Sequence, residues 1–173
     1  VERGTLYHVR TVQFDGEVPD TARAQLALEP GAPAVAADAL AARDRVLASL
    51  QQQGHAFAVA DTPIAYVDAS EPVVDLHFPV QAGAPVNVGE IRLRGLQRTH
   101  EAIVRSRIRA QPGDRYDPRV LESSRRDLLA LGPFAGVSVQ LPGADDGSHQ
   151  IPVTLQFSER KRHALKISAD YST

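Results

Sequence analysis

Apolar and polar positions along the chain form a short phrase that is used twice. Val9, Val12, Phe14 and Gly16 recur as Val88, Ile91, Leu93 and Gly95, each 79 positions later. Pro30-Gly31 returns as Pro112-Gly113, Leu40, Leu47 and Leu50 as Leu121, Leu128 and Leu131, and Gly54 as Gly132. Val74, Leu76 and Phe78 then match Val153, Leu155 and Phe157 at the original offset of 79. The offset changes only between blocks, as loop insertions between packed elements would make it do. Two folded units are predicted, residues 5–83 and 84–160.

Within each unit the first phrase has β-branched and aromatic residues ending in Gly, the pattern of a strand running into a turn. A short helix follows, for which Asp20 after Pro19, and Thr99 with Glu101, are the expected N-cap choices, with Pro-Gly as the stop. The second helix is best marked in the second unit. Asp117 caps it, Pro118 opens it, Leu121, Ser124, Leu128 and Leu131 form one stripe, and Gly132 ends it. Phe134 to Leu141 and Ile151 to Ser158 then read as strands, half buried, with Val153, Leu155 and Phe157 alternating against Pro152, Thr154 and Gln156.

The order is therefore β-α-α-β-β, twice. This predicts an α+β fold of two tandem units, each a three-stranded mixed sheet covered by two helices and near the lower size limit for independent folding. Two helices between strands one and two leave room for strand three to insert between them, giving the order 1-3-2. Strand two is then an edge with unpaired backbone groups, a docking place for another strand. The expected edges are Ala56 to Tyr66 and Val137 to Leu141. Phe57, Val59, Ile64 and Tyr66 on the first, and Val137, Val139 and Leu141 on the second, are the candidate partner-binding residues. Pro63 interrupts the first edge, a position where proline is tolerated because it has no N–H to donate.

Composition narrows the chemistry. There is no Cys, Met or Trp in 173 residues, so disulfides, thiolate zinc sites and thiol nucleophiles are excluded. A chain opening Val-Glu-Arg-Gly without Met is expected to be a segment of a longer protein. At 43% hydrophobic and 23% charged it has the balance of a folded domain, and no apolar run approaches the roughly 18 residues of a membrane-spanning helix. Residues 1–83 carry 5 basic and 11 acidic residues, residues 84–158 carry 10 and 8, and residues 159–173 carry 4 and 2. An acidic first half argues against a nucleic-acid track along the whole length.

The last stretch fits neither unit. Leu165, Ile167, Ala169 and Tyr171 alternate with Lys166, Ser168 and Asp170, a one-sided strand preceded by Arg160, Lys161 and Arg162. One reading is the first strand of an outer-membrane barrel, with the basic residues near the membrane surface. The other is an added strand on the second sheet.

Together, the repeated β-α-α-β-β unit, the Pro-Gly between helices, Leu128-Leu-Ala-Leu-Gly-Pro-Phe-Ala-Gly-Val-Ser-Val139, and Glu159-Arg160 followed by Asp170-Tyr171-Ser172-Thr173 resemble POTRA domains of the Omp85 superfamily. The chain looks most like the last two POTRA domains of a TamA-type (surface antigen D15-like) protein, with residues 161–173 starting the barrel. The resemblance covers the whole chain. It implies a periplasmic arm of an outer-membrane protein of a Gram-negative bacterium, acting in outer-membrane protein or autotransporter biogenesis. The implied partners are an inner-membrane TamB-type protein, unfolded outer-membrane clients and the chain's own C-terminal barrel, with no enzyme activity and no cofactor. A BamA-type protein and a two-partner-secretion transporter are the neighbouring alternatives.

KH domains, which bind RNA, also place two helices after a strand, but clamp phosphates with Gly-x-x-Gly between them. Here the loops read Glu29-Pro-Gly-Ala-Pro33 and Gln111-Pro-Gly-Asp-Arg115, with one Gly each, so no nucleic-acid partner is expected. The six histidines are scattered, and His100-Glu101 lacks the second His of a zinc-protease helix. Asp145-Asp146-Gly147 reads as a loop, since a calcium site needs further oxygen ligands. Arg105, Arg107 and Arg109 with Arg125 and Arg126 read as a solvated helix face, the alternative being a surface for lipid headgroups or an acidic partner.

Overall fold

A computed structural model of the chain describes residues 5–144 and 146–160. Asp145, Lys161, Arg162 and the expected barrel strand lie outside the described residues. The first unit runs β1 (His8–Asp15), α1 (Asp20–Arg23), α2 (Ala36–Gln52), β2 (Val59–Ala60), β3 (Ile64–Val67) and β4 (Val73–Gln81). The second runs β5 (Asn87–Arg94), α3 (Glu101–Arg105), α4 (Pro118–Ala130), β6 (Phe134–Gln140) and β7 (Gln150–Glu159). Each unit is α+β with its own buried cluster, one around Val46, Leu50 and Phe78, the other around Leu128, Phe134 and Leu155.

The last strand of each unit lies in the middle of its sheet, as the order 1-3-2 requires. β4 pairs in parallel with β1 and antiparallel with β2 and β3; β7 pairs in parallel with β5 and antiparallel with β6. The repeat extends to irregularities. Both parallel ladders shift register just after Val9 and Val88, and both Pro-Gly loops bond to those residues. Gly31 donates to the Val9 carbonyl and Gly113 to the Val88 carbonyl, both at 2.7 Å. The Pro-Gly turns are not the helix stops expected, since α1 and α3 end at Arg23 and Arg105, well before them; they brace the start of strand one instead.

Several local expectations are corrected. The strand expected from Ala56 starts at Val59 and is split by Asp61-Thr62-Pro63, because proline cannot continue the ladder. Ala56 and Phe57 lie in the turn after α2, so Phe57 is off the edge, and Leu141 lies one residue past the end of β6. Asp20 and Thr99 do not cap: Pro19 and His100 occupy the N-cap positions, without a side-chain hydrogen bond. Asp117 does cap α4, accepting from the Arg119 N–H at 2.8 Å, with Pro118 at the first helical position. On α4 the stripe Leu121, Ser124 and Leu128 is buried. On α2 the buried stripe is Ala39, Ala42, Val46 and Leu50, so Ala39, not the Leu40 that the repeat suggested, takes the place of Leu121, and Leu40 is 40% exposed beside the stripe.

Candidate functional site

Three features are built by this fold: two sheet edges, a junction between the units and a clasp where the second unit ends. Among the described residues β3 and β6 each pair on one side only, with β4 and β7. Their outer sides present the unpaired backbone groups of edge strands.

The two edges differ in side chains. In the first unit Ala65 sits opposite Leu76 and Tyr66 opposite Asp75; in the second Val139 sits opposite Leu155 and Gln140 opposite Thr154. Because Leu76 and Leu155 are repeat mates, Ala65 corresponds to Val139, Tyr66 to Gln140 and Ile64 to Ser138. The outward face of β3 is therefore apolar, with Ile64 45% and Tyr66 54% exposed, and the Tyr66 ring lies edge-on to His77 at 4.8 Å. Val59 on β2 is also exposed. The outward face of β6 is Ser138 and Gln140, while Val137 is buried and Val139 and Leu141 are half-buried against the second core.

The inward side differs as well. Ala65 and Val67 on β3 and Ala39 and Leu40 on α2 border a hollow of about 320 Å³ floored by Leu76. Small residues stand there where the second unit has Val139 and Leu121, and the space is left open. Sequence alternation gave no sign of it, since it depends on which side chains of α2 face β3.

At the junction the end of α2 docks on the second unit. The Val86 N–H donates to the Gly54 carbonyl at 2.9 Å, Arg115 Nε to the Gln53 carbonyl at 2.9 Å, and His55 Nδ1 to the Gly83 carbonyl at 2.9 Å. Ala56 and Phe57 pack against the second core. Phe57 thus belongs to this junction, a role that depends on contacts across the unit boundary and leaves no local pattern.

The clasp is centred on Glu159, whose side chain is 5% exposed. One carboxylate oxygen accepts from the backbone N–H groups of Gln97, Arg98 and Thr99 at 3.1, 3.1 and 3.0 Å, and the other from Arg98 Nε at 3.1 Å. Successive N–H groups converging on one anion form a nest. The backbone bonds from Arg98 and Thr99, with those from Gln97 and the Arg98 side chain, outweigh burial and hold the carboxyl down at about 2. Arg160 completes the clasp: its N–H donates to the Pro133 carbonyl at 2.8 Å, its Nε to the Phe134 carbonyl at 3.0 Å, and its own carbonyl accepts from Arg98 at 2.6 Å.

A pKa lower in the folded than in the unfolded state means a stabilisation present in full above the ordinary glutamate range and lost as pH falls through the folded value. Wild-type stability should therefore decline between about pH 4.5 and about pH 2 through this group. Glu159→Gln is expected to lower the thermal midpoint at pH 7 and to flatten that decline. Midpoints of the full chain from pH 2 to 7 check it; an unaltered acid profile in the variant would exclude the carboxylate as a source.

The expected basic face is largely neutralised. Arg105 pairs with Glu101, Arg109 with Asp127, and Arg125 with Glu122, each at 2.7 Å, and Arg126 lies 3.9 Å from Glu122. Among the described residues Arg107 has no carboxylate partner, no group of three His, Cys, Asp or Glu side chains could hold a metal ion, and no helix is long and apolar enough to cross a membrane.

Residues 86–160 match the family model for POTRA, described as a surface antigen variable number repeat. The chain is 29% identical over 128 residues to the outer membrane protein assembly factor BamA of Neorickettsia risticii, covering 74% of this chain and 17% of that protein. The crystal structure of Haemophilus influenzae BamA POTRA3-5 superposes with a TM-score of 0.74 at 19% identity, covering 88% of this chain and 61% of the other. BamA from Haemophilus ducreyi lacking POTRA domains 1–3 gives 0.74 at 18% identity, covering 91% and 30%. The chain thus spans about a sixth of the length of the curated relative described.

Proposed function

We propose that this chain is a pair of POTRA domains of the Omp85 superfamily, a protein-binding arm which receives extended segments of client or partner along its sheet edges. POTRA domains are the periplasmic part of Omp85-family outer-membrane proteins and are non-enzymatic scaffold modules for protein contacts. The observation that carries the reading is the topology: among the described residues, strand two of each unit is paired on one side only. Main-chain hydrogen bonds give affinity with little dependence on sequence, which suits a factor handling many unfolded outer-membrane clients.

The test uses the absence of cysteine in this segment. Single cysteines at Ile64 and Tyr66 on one edge and at Ser138 and Gln140 on the other, introduced in the full-length protein, are expected to crosslink to unfolded barrel precursors in cells along at least one of the two edges. Cysteines on the opposite edge strands, at Gln13 and Arg92, are expected not to. Equal yields at all positions would leave the units as rigid spacers.

Two finer readings share this site. The curated relative described above is an assembly factor, and a BamA-type role would make barrel precursors at large the clients. The resemblance of the closing Glu159-Arg160 and Asp170-Tyr171-Ser172-Thr173 supports a TamA-type role instead, in autotransporter assembly with an inner-membrane TamB-type partner. Depletion of the full-length protein separates them: loss of most barrel proteins fits the first, and loss confined to autotransporters, with copurification of a TamB-type protein, fits the second.

A further inference from the structure

We infer that the first unit, not the second, carries the docking edge, and that its occupant is an extended polypeptide with alternating apolar residues and a Lys or Arg at its ends. The inference rests on the edge-binding reading above and adds which edge is used and what it selects. The repeat supplies an internal control, since the same strand in the same sheet is built with opposite chemistry in the two units.

On β6 the outward side chains are Ser138 and Gln140, and the inward space is filled by Val139 and Leu121. A strand added there would find backbone groups and nothing apolar beside them. On β3 the outward face offers Ile64 and Tyr66, and the inward side opens on the hollow bordered by Ala65, Val67 and Leu40. Side chains of an added strand alternate between the two faces of the sheet. One set would extend the apolar surface of Ile64 and Tyr66, and the other would enter the hollow. The named exposed apolar side chains here are part of a wider set: of the eight exposed large hydrophobics among the described residues, Ile103 alone belongs to the second unit. Pro63 stops the ladder at one end, so pairing is limited to Ile64–Val67, about 13 Å of strand.

Charge selects the ends. Asp61 precedes β3 and Glu71 follows it; both are exposed, and neither pairs with a cation among the described residues. The arginines of the described first unit are engaged: Arg10 with Asp68 and Asp75, Arg43 with Asp44, Arg45 with the Gln25 and Leu26 carbonyls and Arg23 with the Val18 carbonyl. The edge is apolar in the middle and negative at both ends, the complement of a cation-flanked amphipathic strand.

The test uses the full chain and a nine-residue peptide of alternating Val and Thr with Lys at both termini, with a Glu-ended version as control. Amide chemical-shift mapping is expected to place the Lys-ended peptide on residues 64–67 and leave residues 134–140 unmoved. Binding should weaken roughly tenfold in the double variant Ile64→Ser with Tyr66→Gln, which copies the second unit's edge, as in Ala65→Leu, which fills the hollow. The Glu-ended peptide should bind more weakly, with the difference closing in high salt. Mapping on the unaltered chain decides the matter if either variant fails to fold. Equal shifts on both edges would overturn the inference while leaving the edge-binding reading intact, whereas no shift on either edge would remove both. A concentration-dependent dimer lost in Tyr66→Gln would assign the edge to a second copy of the chain and also overturn it.

Discussion

Replacing Gly95 by Ala is expected to lower the stability of the second unit by about 3 kcal/mol, a fall in its thermal midpoint of roughly 15 °C. Gly95 has φ +85°, a conformation costing an L-residue roughly 1–2 kcal/mol. A Cβ built there would stand 2.2 Å from the Phe157 carbonyl oxygen and 2.7 Å from Gln156 Nε2. The Gln156 side chain can rotate away. The Phe157 carbonyl belongs to the central strand, held between β5 and β6, so relief requires moving the sheet. The first unit repeats the arrangement, with Gly16 at φ +141° and its Cβ position 2.2 Å from the Val80 carbonyl oxygen. Gly113→Ala is the control: φ is +95° but the space is open, so only conformational strain applies. Urea unfolding of Gly95→Ala, Gly16→Ala and Gly113→Ala separates strain from collision. Should Gly95→Ala cost no more than Gly113→Ala, the close approach of turn and central strand would carry no energetic weight.

The second large effect is expected in the other core. Phe78 is fully buried at the centre of the first sheet, with the Phe14 ring 5.8 Å away. Truncation to Ala should cost about 3–5 kcal/mol. A unit of this size has a total stability of roughly 4–12 kcal/mol, so Phe78→Ala should bring the first unit close to unfolding at 37 °C. The two buried clusters are separate, and the units meet through the hydrogen bonds of Gln53 and Gly54 and the packing of Ala56 and Phe57. Unfolding of the variant is therefore expected in two steps, with protected amides retained in β5, β6 and β7 after those of β4 exchange. Simultaneous loss of protection in both units would mean that the junction couples them into a single cooperative block.

Much of this architecture is legible in the order of the residues, because it follows from local spacing. The alternation of Val153, Leu155 and Phe157, the α4 stripe of Leu121, Ser124 and Leu128, and Asp117-Pro118 at its start each report on neighbours a few positions away. Repetition of Val9 through Gly16 as Val88 through Gly95 identifies two units of one fold. The placement of two helices between strands one and two is enough to put strand three in the middle of the sheet. Pro63, lacking an N–H, announces a broken edge.

What the order of residues left open are choices among distant partners. Leu40 and Leu121 match in the spacing of the sequence, yet one is exposed and the other buried, because the stripe that α2 buries is Ala39, Ala42 and Val46, the counterpart of Leu121, Ser124 and Leu128, which leaves Leu40 one position off the core face. Phe57 has the character of a strand residue and is drawn instead into the junction. Glu159 reads as one more exposed carboxylate until three backbone N–H groups some sixty positions earlier converge on it. Spacing along a chain sets which residues share a face; which faces meet, and how tightly, depends on side-chain volumes and backbone groups brought together across the whole fold. The docking edge belongs to that second kind of information, and so does the clasp at Glu159 that ends the second unit.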